Sequence, residues 1–377
     1  MDEKESKGSA PCCCAGTERR AAFCFGPVQH ATPPWVTGTV DTAAGQTPRV
    51  RTALVFADRV GSWKARWGVG RMHYAVEPGL YAVGQPSPES PVFVSANYKM
   101  SFDRLRSNLA GRDGWILVLD TKGINVWCAA GKGTFGTDEL VARAAATRLA
   151  EVVSHRQIVV PQLGAPGVSA HQVRERSGFK VVYGPVRAED LPAFLDAGMR
   201  ATPDMRRVTF PFRERLALIP MELVMSAWYA VFILLGFYLV SGFRGGEYAV
   251  ERAVTVGTHC AVLFVAAYVA GAAATPALLP WLPGRAFSTK GAAAGLAAAL
   301  GCAAYAWKHP AFFENGLAEA GWLVMIPALA SFLAMNFTGA STYTSLSGVH
   351  REMRWALPLQ VVGSLAGLGL WVAGRLV

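Results

Sequence analysis

The sequence predicts two parts in series: an α/β domain built on a parallel sheet, then an all-α bundle of five transmembrane helices. Three observations carry this. Charged residues make up only 16% of the 377 residues and mean hydropathy is +0.27, where a soluble domain usually carries about 25% charged residues. The deficit is uneven: residues 1–215 hold 28 basic and 20 acidic side chains, whereas 216–377 hold eight and six. Strand-like and helix-like patterns also alternate four times between Pro91 and Ala197, the signature of a parallel sheet covered by helices.

Residues 1–35 are polar and rich in Gly, Pro and Ala, with Cys12, Cys13, Cys14 and Cys24, and predict a flexible tail. The opening MDEKESKGSA is charged and predicts no cleavable leader. Residues 36–90 are short mixed runs with many Gly and Pro, an extension of a domain that reaches residue 215. Pro91–Ala96 is a strand, and Ser101–Gly111 a helix with Phe102, Leu105 and Leu109 on one face. Trp115–Leu119 is an almost unbroken apolar run, suited to a strand buried on both sides. Asp138–Val153 is a helix with Thr137 placed to cap it. Ile158–Val160 and Phe179–Tyr183 are strands, and Ser169–Ser177 and Arg187–Ala197 helices. Ligands of such sheets bind beyond the carboxyl ends of the strands, which singles out the loops Asn97–Lys99, Asp120–Thr137, Pro161–Val168 and Gly184–Arg187.

A helix crossing the hydrocarbon core needs roughly 20 apolar residues. Ile219–Val240, Val254–Leu279, Gly291–Trp307, Trp322–Phe337 and Trp355–Val372 are the five candidates in 216–377. Basic residues favour the side of Arg206, Arg207, Arg213, Arg215, Arg285, Lys290, Arg351 and Arg354 over that of Arg244, Arg252, Lys308 and Arg375. The richer side is expected to be cytoplasmic and carries the α/β domain. The small-residue faces Gly291–Gly295 and Gly363–Gly367 suit close helix packing within one bundle. Glu222, near the start of the first span, is the one intramembrane acid to weigh as functional. So few charged groups in the spans argue against a transporter.

The longest post-strand loop, Asp120–Thr137, contains Asn125-Val126-Trp127-Cys128-Ala129-Ala130-Gly131-Lys132. A P-loop needs Gly five residues before the Gly of Gly-Lys and Ser or Thr after the Lys, but Val126 and Gly133 stand there. A dinucleotide fingerprint is set aside because no G-x-G-x-x-G directly follows the strand. Two readings of Cys128 remain: a small buried apolar residue, or a thiolate ligand for a soft metal, with small residues beside it that admit a large flat ligand.

The segment Asn125–Lys132 resembles the signature of the mercury-methylating corrinoid proteins, the HgcA family. Ser95–Asp103 and Gln162–Val168 resemble further segments of that family, as does the order of a soluble corrinoid domain before five spans. The resemblance runs from about Val50 to the C-terminus, and the domain is also similar to that of the corrinoid iron–sulfur protein of the acetyl-CoA pathway. It implies a Rossmann-like corrinoid-binding domain in which Cys128, on a cap helix, ligates the cobalt of a base-off cobalamin or related corrinoid from the lower face. None of the seven histidines has Asp two residues before it, so the Asp-x-His-x-x-Gly ligand motif of other corrinoid modules is missing.

The implied activity is methyl transfer from the corrinoid to Hg(II), giving methylmercury at the cytoplasmic membrane. A negative soft donor opposite the methyl group makes that group electron-rich, as an electrophilic acceptor demands. Asn125 would fix the cap, Val126 would lie by the corrin, Trp127 would pack against the corrin or shield the thiolate, and Ala129, Ala130 and Gly131 would leave room for the ring. Lys132 would pair with a corrin amide or the tail phosphate, or equally stand as a solvated charge at a helix end. Ser95, Asn97, Tyr98 and Ser101 would lie on one side, with Ser101 equally suited to cap its helix. Gly164, Ala165, Pro166 and Gly167 would line the displaced tail, and Tyr183 and Gly184 the last strand end. Implied partners are a cytoplasmic methyl donor, membrane lipid and HgcB, a ferredoxin-like protein with two [4Fe–4S] clusters that returns electrons; nucleic acid has no part. The competing function is a membrane-tethered protein that binds or senses thiophilic metal through Cys12–Cys14 and Cys24.

Overall fold

In the computed structural model, residues 33–337 and 346–376 are described. The thiol-rich tail with Cys12, Cys13, Cys14 and Cys24 lies outside them. The α/β domain runs β1 (Val36–Thr42), β2 (Gly45–Val50), α1 (Phe56–Arg66), β3 (Gly79–Val83), β4 (Val92–Ala96), α2 (Lys99–Ser107), β5 (Gly114–Leu119), α3 (Val126–Lys132), α4 (Thr137–Ala146), α5 (Leu149–Val152), β6 (Gln157–Val160), α6 (Ala170–Ser177), β7 (Lys180–Tyr183) and α7 (Leu191–Asp196).

The seven strands form one sheet in the order β1-β2-β3-β5-β4-β6-β7. Strands β5, β4, β6 and β7 are parallel, as the alternation predicts. β3 joins antiparallel to β5, and a β1–β2 hairpin extends the same edge. Residues 36–90 therefore supply three strands that their Gly- and Pro-broken pattern conceals. The chain leaves β4 toward β5 on one side and returns to β6 on the other, so the switch point lies between β4 and β6. Every residue of β5 is buried, in keeping with its unbroken apolar run. Val92, Val94 and Ala96 of β4 enter the core beneath α3–α6 with Leu140 and Val173, while Phe93 enters the opposite core with Phe102, Leu105 and Phe194.

Three expectations about two of the predicted helices are corrected. The helix expected over Asp138–Val153 is two, α4 and α5, because Arg148 takes a left-handed conformation between them (φ 49°). Thr137 does not cap α4; Gly136 does, and the Thr137 hydroxyl accepts the Ser169 amide at 2.8 Å. The helix expected from Ser101 begins at Lys99, with Tyr98 rather than Ser101 at its N-cap.

The helical part of the chain then follows the linker 204–211. α8 (Phe212–Ser241) leads by a short β8–β9 hairpin (Phe243–Arg244, Glu247–Tyr248) into α9 (Val250–Val269), which passes through a π-turn at Ala270–Ala274 into α10 (Thr275–Leu278). α11 (Phe287–Lys308), α12 (Gly316–Asn336) and α13 (Leu346–Leu376) complete the bundle. Among the described residues, four helices are long and apolar enough to cross a membrane: Phe212–Ser241, Val250–Leu278, Gly316–Asn336 and Gly348–Leu376. The fifth candidate stretch lies in α11, which is 22 residues long but owes its apolarity mostly to Ala and Gly. Both small-residue faces pack inside the bundle. A Cβ on Gly291 would fall 2.7 Å from the Ala330 carbonyl of α12, and one on Gly367 2.6 Å from the Gly321 carbonyl.

Candidate functional site

The loop expected between Asp120 and Thr137 contains a helix, α3. Lys122 and Gly123 turn the chain with positive φ (58° and 71°), and Asn125 caps the helix, its Oδ1 accepting the Cys128 amide at 2.9 Å. The turn is held from β4 by Asn97. Its Oδ1 accepts the Thr121 amide at 3.2 Å and the Gly123 amide at 2.9 Å, and lies 2.8 Å from the Thr121 hydroxyl. Asn97 and Thr121 are both buried. Beside them, burial opposes the charge on Asp120, yet the hydrogen bond from Lys122 holds its carboxyl below the usual range.

Two spaces meet at α3. The first is a crevice of about 410 Å³ at the carboxyl ends of β4, β6 and β7, at the switch point. Ser95, Tyr98, Ser101, Asn125, Val126, Trp127 and Gly184 line it. The second, of about 930 Å³, opens between α3 and the helices α8, α9 and α12. Cys128 lines this larger space and not the crevice, while Asn125 and Trp127 line both. Both volumes lie in the range of cofactor sites, roughly 300–1,000 Å³. Among the described residues Cys128 is half-buried and unpaired with any other thiol.

The remaining expected site residues fall elsewhere. Asn97 acts behind the wall, as the staple just described. Ala129 and Ala130 point into the core under α3 instead of leaving room above it. Gly131 is open, with nothing within 4 Å of an added Cβ, and Lys132 is exposed at the end of α3. Gly164 and Gly167 are places of close packing: a Cβ there would come 2.3 Å from Phe135 Cε1 and 2.1 Å from the Phe135 carbonyl. Ala165 and Pro166 share that turn and do not line the crevice. Tyr183 donates its hydroxyl to the Val168 carbonyl at 2.7 Å, bracing the same turn. Gly131, Gly133 and Gly136 do have G-x-G-x-x-G spacing. They follow α3 rather than the strand, however, and Gly133 and Gly136 are the C-cap of α3 and the N-cap of α4.

Residues that the motifs do not reveal complete the site. The linker into α8, through Val208 and Thr209, and the first turn of α8, through Glu214, close one side of the crevice. Arg187, also in its lining, reaches Glu214 at 2.7 Å and the Thr209 hydroxyl at 2.7 Å. The larger space takes Arg71 from the turn after α1, Met221, Glu222, Met225 and Tyr229 from α8, and Tyr268 from α9. Of these only Glu222 carries a signal in the sequence, as an acid within an apolar run. Arg71 stacks over the Tyr98 ring at 5.3 Å and so touches the crevice wall too.

Fold and site together define a class: an α/β domain joined to membrane-type helices, with a capped ligand crevice at the sheet's switch point and a free thiol on the cap. Residues 69–195 match the family model of the CO dehydrogenase/acetyl-CoA synthase delta subunit, CdhD. The acetyl-CoA decarbonylase/synthase complex subunit gamma of Archaeoglobus fulgidus is 33% identical over 123 residues, 32% of this chain and 26% of that protein. The Methanopyrus kandleri subunit gamma is 32% identical over 123 residues, with the same coverage of 32% and 26%. The Methanosarcina mazei subunit gamma 2 is 30% identical over 130 residues, 33% of this chain and 27% of the other. The chain thus spans about a quarter of the length of these curated relatives, and the family match ends before α8.

Proposed function

We propose that this chain is a membrane-anchored, corrinoid-dependent methyltransferase of the mercury-methylating HgcA type, with Cys128 as the lower axial ligand of cobalt and Hg(II) as methyl acceptor. The relationship to acetyl-CoA synthase subunits supports the corrinoid part. One observation carries the rest: the Cys128 thiol faces a space of about 930 Å³ from a capped helix turn at the ligand end of the sheet.

The residues fit such a cofactor. Among the described residues no group of three or more His, Cys, Asp or Glu is placed to hold a bare ion. A corrin brings its own equatorial nitrogens, so one protein donor suffices, and Cys128 is that donor. The corrin would be held in the larger space against Cys128 and Trp127. Its tail would lie in the strand-end crevice against Ser95, Tyr98, Ser101 and Gly184. A corrinoid bound there would supply a methyl group for transfer to a soft electrophile, and the Cys128 sulfur would make that group more electron-rich. Asn125 holds the first turn of α3 and with it the thiol. The walls that α8, α9 and α12 give the space are mostly apolar, and Arg71, Asn125, Glu222, Ser226, Tyr268 and Asn336 supply polar groups to its lining.

On this reading α11 is the fifth span, the protein sits in the cytoplasmic membrane with its α/β domain in the cytoplasm, and a ferredoxin with two [4Fe–4S] clusters returns electrons. The surplus of positive charge in residues 1–215 suits an acidic electron donor. The test is anaerobic purification of the full chain, loading with cobalamin, and comparison of its visible spectrum with that of Cys128→Ala. A spectral change confined to the wild type, together with methylmercury formed from Hg(II) in the presence of the ferredoxin, is expected. Identical spectra would overturn thiolate ligation. A thiolate spectrum without methylmercury would keep the corrinoid and overturn the acceptor.

A further inference from the structure

α1 is built inside out. Its inward face carries Asp58, 8% exposed, with Ala65 fully buried and Gly61, where an added Cβ would meet the Tyr74 ring at 2.8 Å. Its outward face carries Phe56, Val60 and Trp63, and Trp67 at its C-cap continues the stripe, at spacings of four, three and four residues. Phe56 is 81% exposed and Trp63 60%, and the following turn adds Val69 at 61% and Met72 at 71%. Arg59 and Lys64 flank the stripe, both exposed. A soluble domain has no use for a stripe of this kind facing water. Aromatic residues beside cations are the pattern of a helix lying in a membrane interface.

The position of α1 relative to α8 agrees. A Cβ on Gly68, just past α1, would lie 3.4 Å from Val224 Cγ1 and 3.6 Å from Met221 Sδ. The hydrocarbon core takes about 20 helical residues. Counted back from Ser241, the end of α8, that length places the boundary at about residue 222. The turn after α1 therefore contacts α8 at headgroup depth, and the stripe beside it is continuous with the membrane surface.

We propose that α1 and the turn to Met72 form an in-plane membrane helix, whose occupant is the lipid interface and whose flanking cations take anionic headgroups. The contact would seat the α/β domain on the bilayer and hold Arg71, which lines the larger space, at its rim. This inference stands whatever ligand fills that space.

The test uses the full chain in nanodiscs of phosphatidylcholine and phosphatidylglycerol. A photo-crosslinking phenylalanine analogue replaces Phe56 or Trp63, and as control the exposed Lys180 at the opposite, amino end of its strand. Lipid adducts at 56 and 63 and none at 180 are expected. Adducts to a second copy of the chain would overturn the proposal, as would the absence of adducts at 56 and 63. A second measurement keeps the native fold: with lipids brominated near the headgroup end of the acyl chains, wild-type tryptophan quenching should exceed that of Trp63→Tyr/Trp67→Tyr. Equal quenching would also overturn it.

Discussion

At Asn125 one oxygen fixes the helix turn on which Cys128 stands. α3 is seven residues long and contains a glycine, so it has little stability of its own, and the cap is a large share of it. Losing an N-cap costs about 1 kcal/mol, or roughly fivefold in an affinity that depends on the turn. Asn125→Ala should accordingly weaken cobalamin binding by that factor in a spectral titration, while Asn125→Asp, which keeps the acceptor, should bind as the wild type does. At this scale the sequence is informative. The eight residues around Cys128 stand out by their resemblance to a corrinoid-protein signature, and the post-strand position points to a ligand end. The role of Asn97 is hidden, because its partners are main-chain amides of Thr121 and Gly123, and nothing in a sequence marks which carbonyl oxygen two distant amides will share.

Between elements, the tie that matters most is the buried ion cluster joining α1 to α2. Lys99 Nζ lies 2.9 Å from Asp58 and 2.7 Å from Asp103, and Arg106 lies 2.8 Å from Asp58 and 2.7 Å from Asp103. Burial works against the Asp58 charge, but hydrogen bonds from Lys99 and Arg106 outweigh it and hold the carboxyl below its ordinary range. The native value being the lower one, the contribution of this carboxylate to stability is complete above about pH 4 and fades as pH falls through the depressed value. An acid titration of the full chain followed by tryptophan emission should show α1, with Trp63 and Trp67, loosening below about pH 4. Asp58→Asn should loosen α1 already at neutral pH, since removing one partner of a buried pair costs about 3–5 kcal/mol.

This cluster also explains which elements the sequence conceals. Strands β4–β7 carry their burial in apolar runs and are recognisable. α1 carries an acid on its inner face and tryptophans on its outer one, so periodicity alone assigns its faces backwards. β1 and β2 belong to an edge hairpin with alternating or partial exposure, and their Gly and Pro blur the period. α3 is too short, and too rich in small residues, to separate from a loop.

Across the whole molecule, the larger space takes its walls from both parts of the chain, Cys128 and Trp127 from one and α8, α9 and α12 from the other. Filling it from the membrane side should therefore act on the thiol. Ala230→Trp, on the α8 wall, should sharply reduce cobalamin loading while leaving thermal unfolding of the empty protein within a few degrees of wild type. Unimpaired loading in this variant would place the corrin outside the space. The division into an α/β domain and a helical membrane part follows from charge segregation alone and is visible in the sequence. The space between the parts is not, because it depends on the angle at which the linker 204–211 delivers α8 to the sheet.

Asn125 and Trp127 each present one surface to the crevice and another to the larger space, so α3 is a shared partition. Linkage makes communication across such a partition symmetrical: whatever free energy an occupant of one chamber adds to or takes from its neighbour, the neighbour returns in equal measure. Cobinamide, a ring lacking its nucleotide arm, and the detached arm itself should thus alter each other's dissociation constants by one common ratio. Severing the cofactor in two turns this partition into a gauge of how firmly the chambers are coupled.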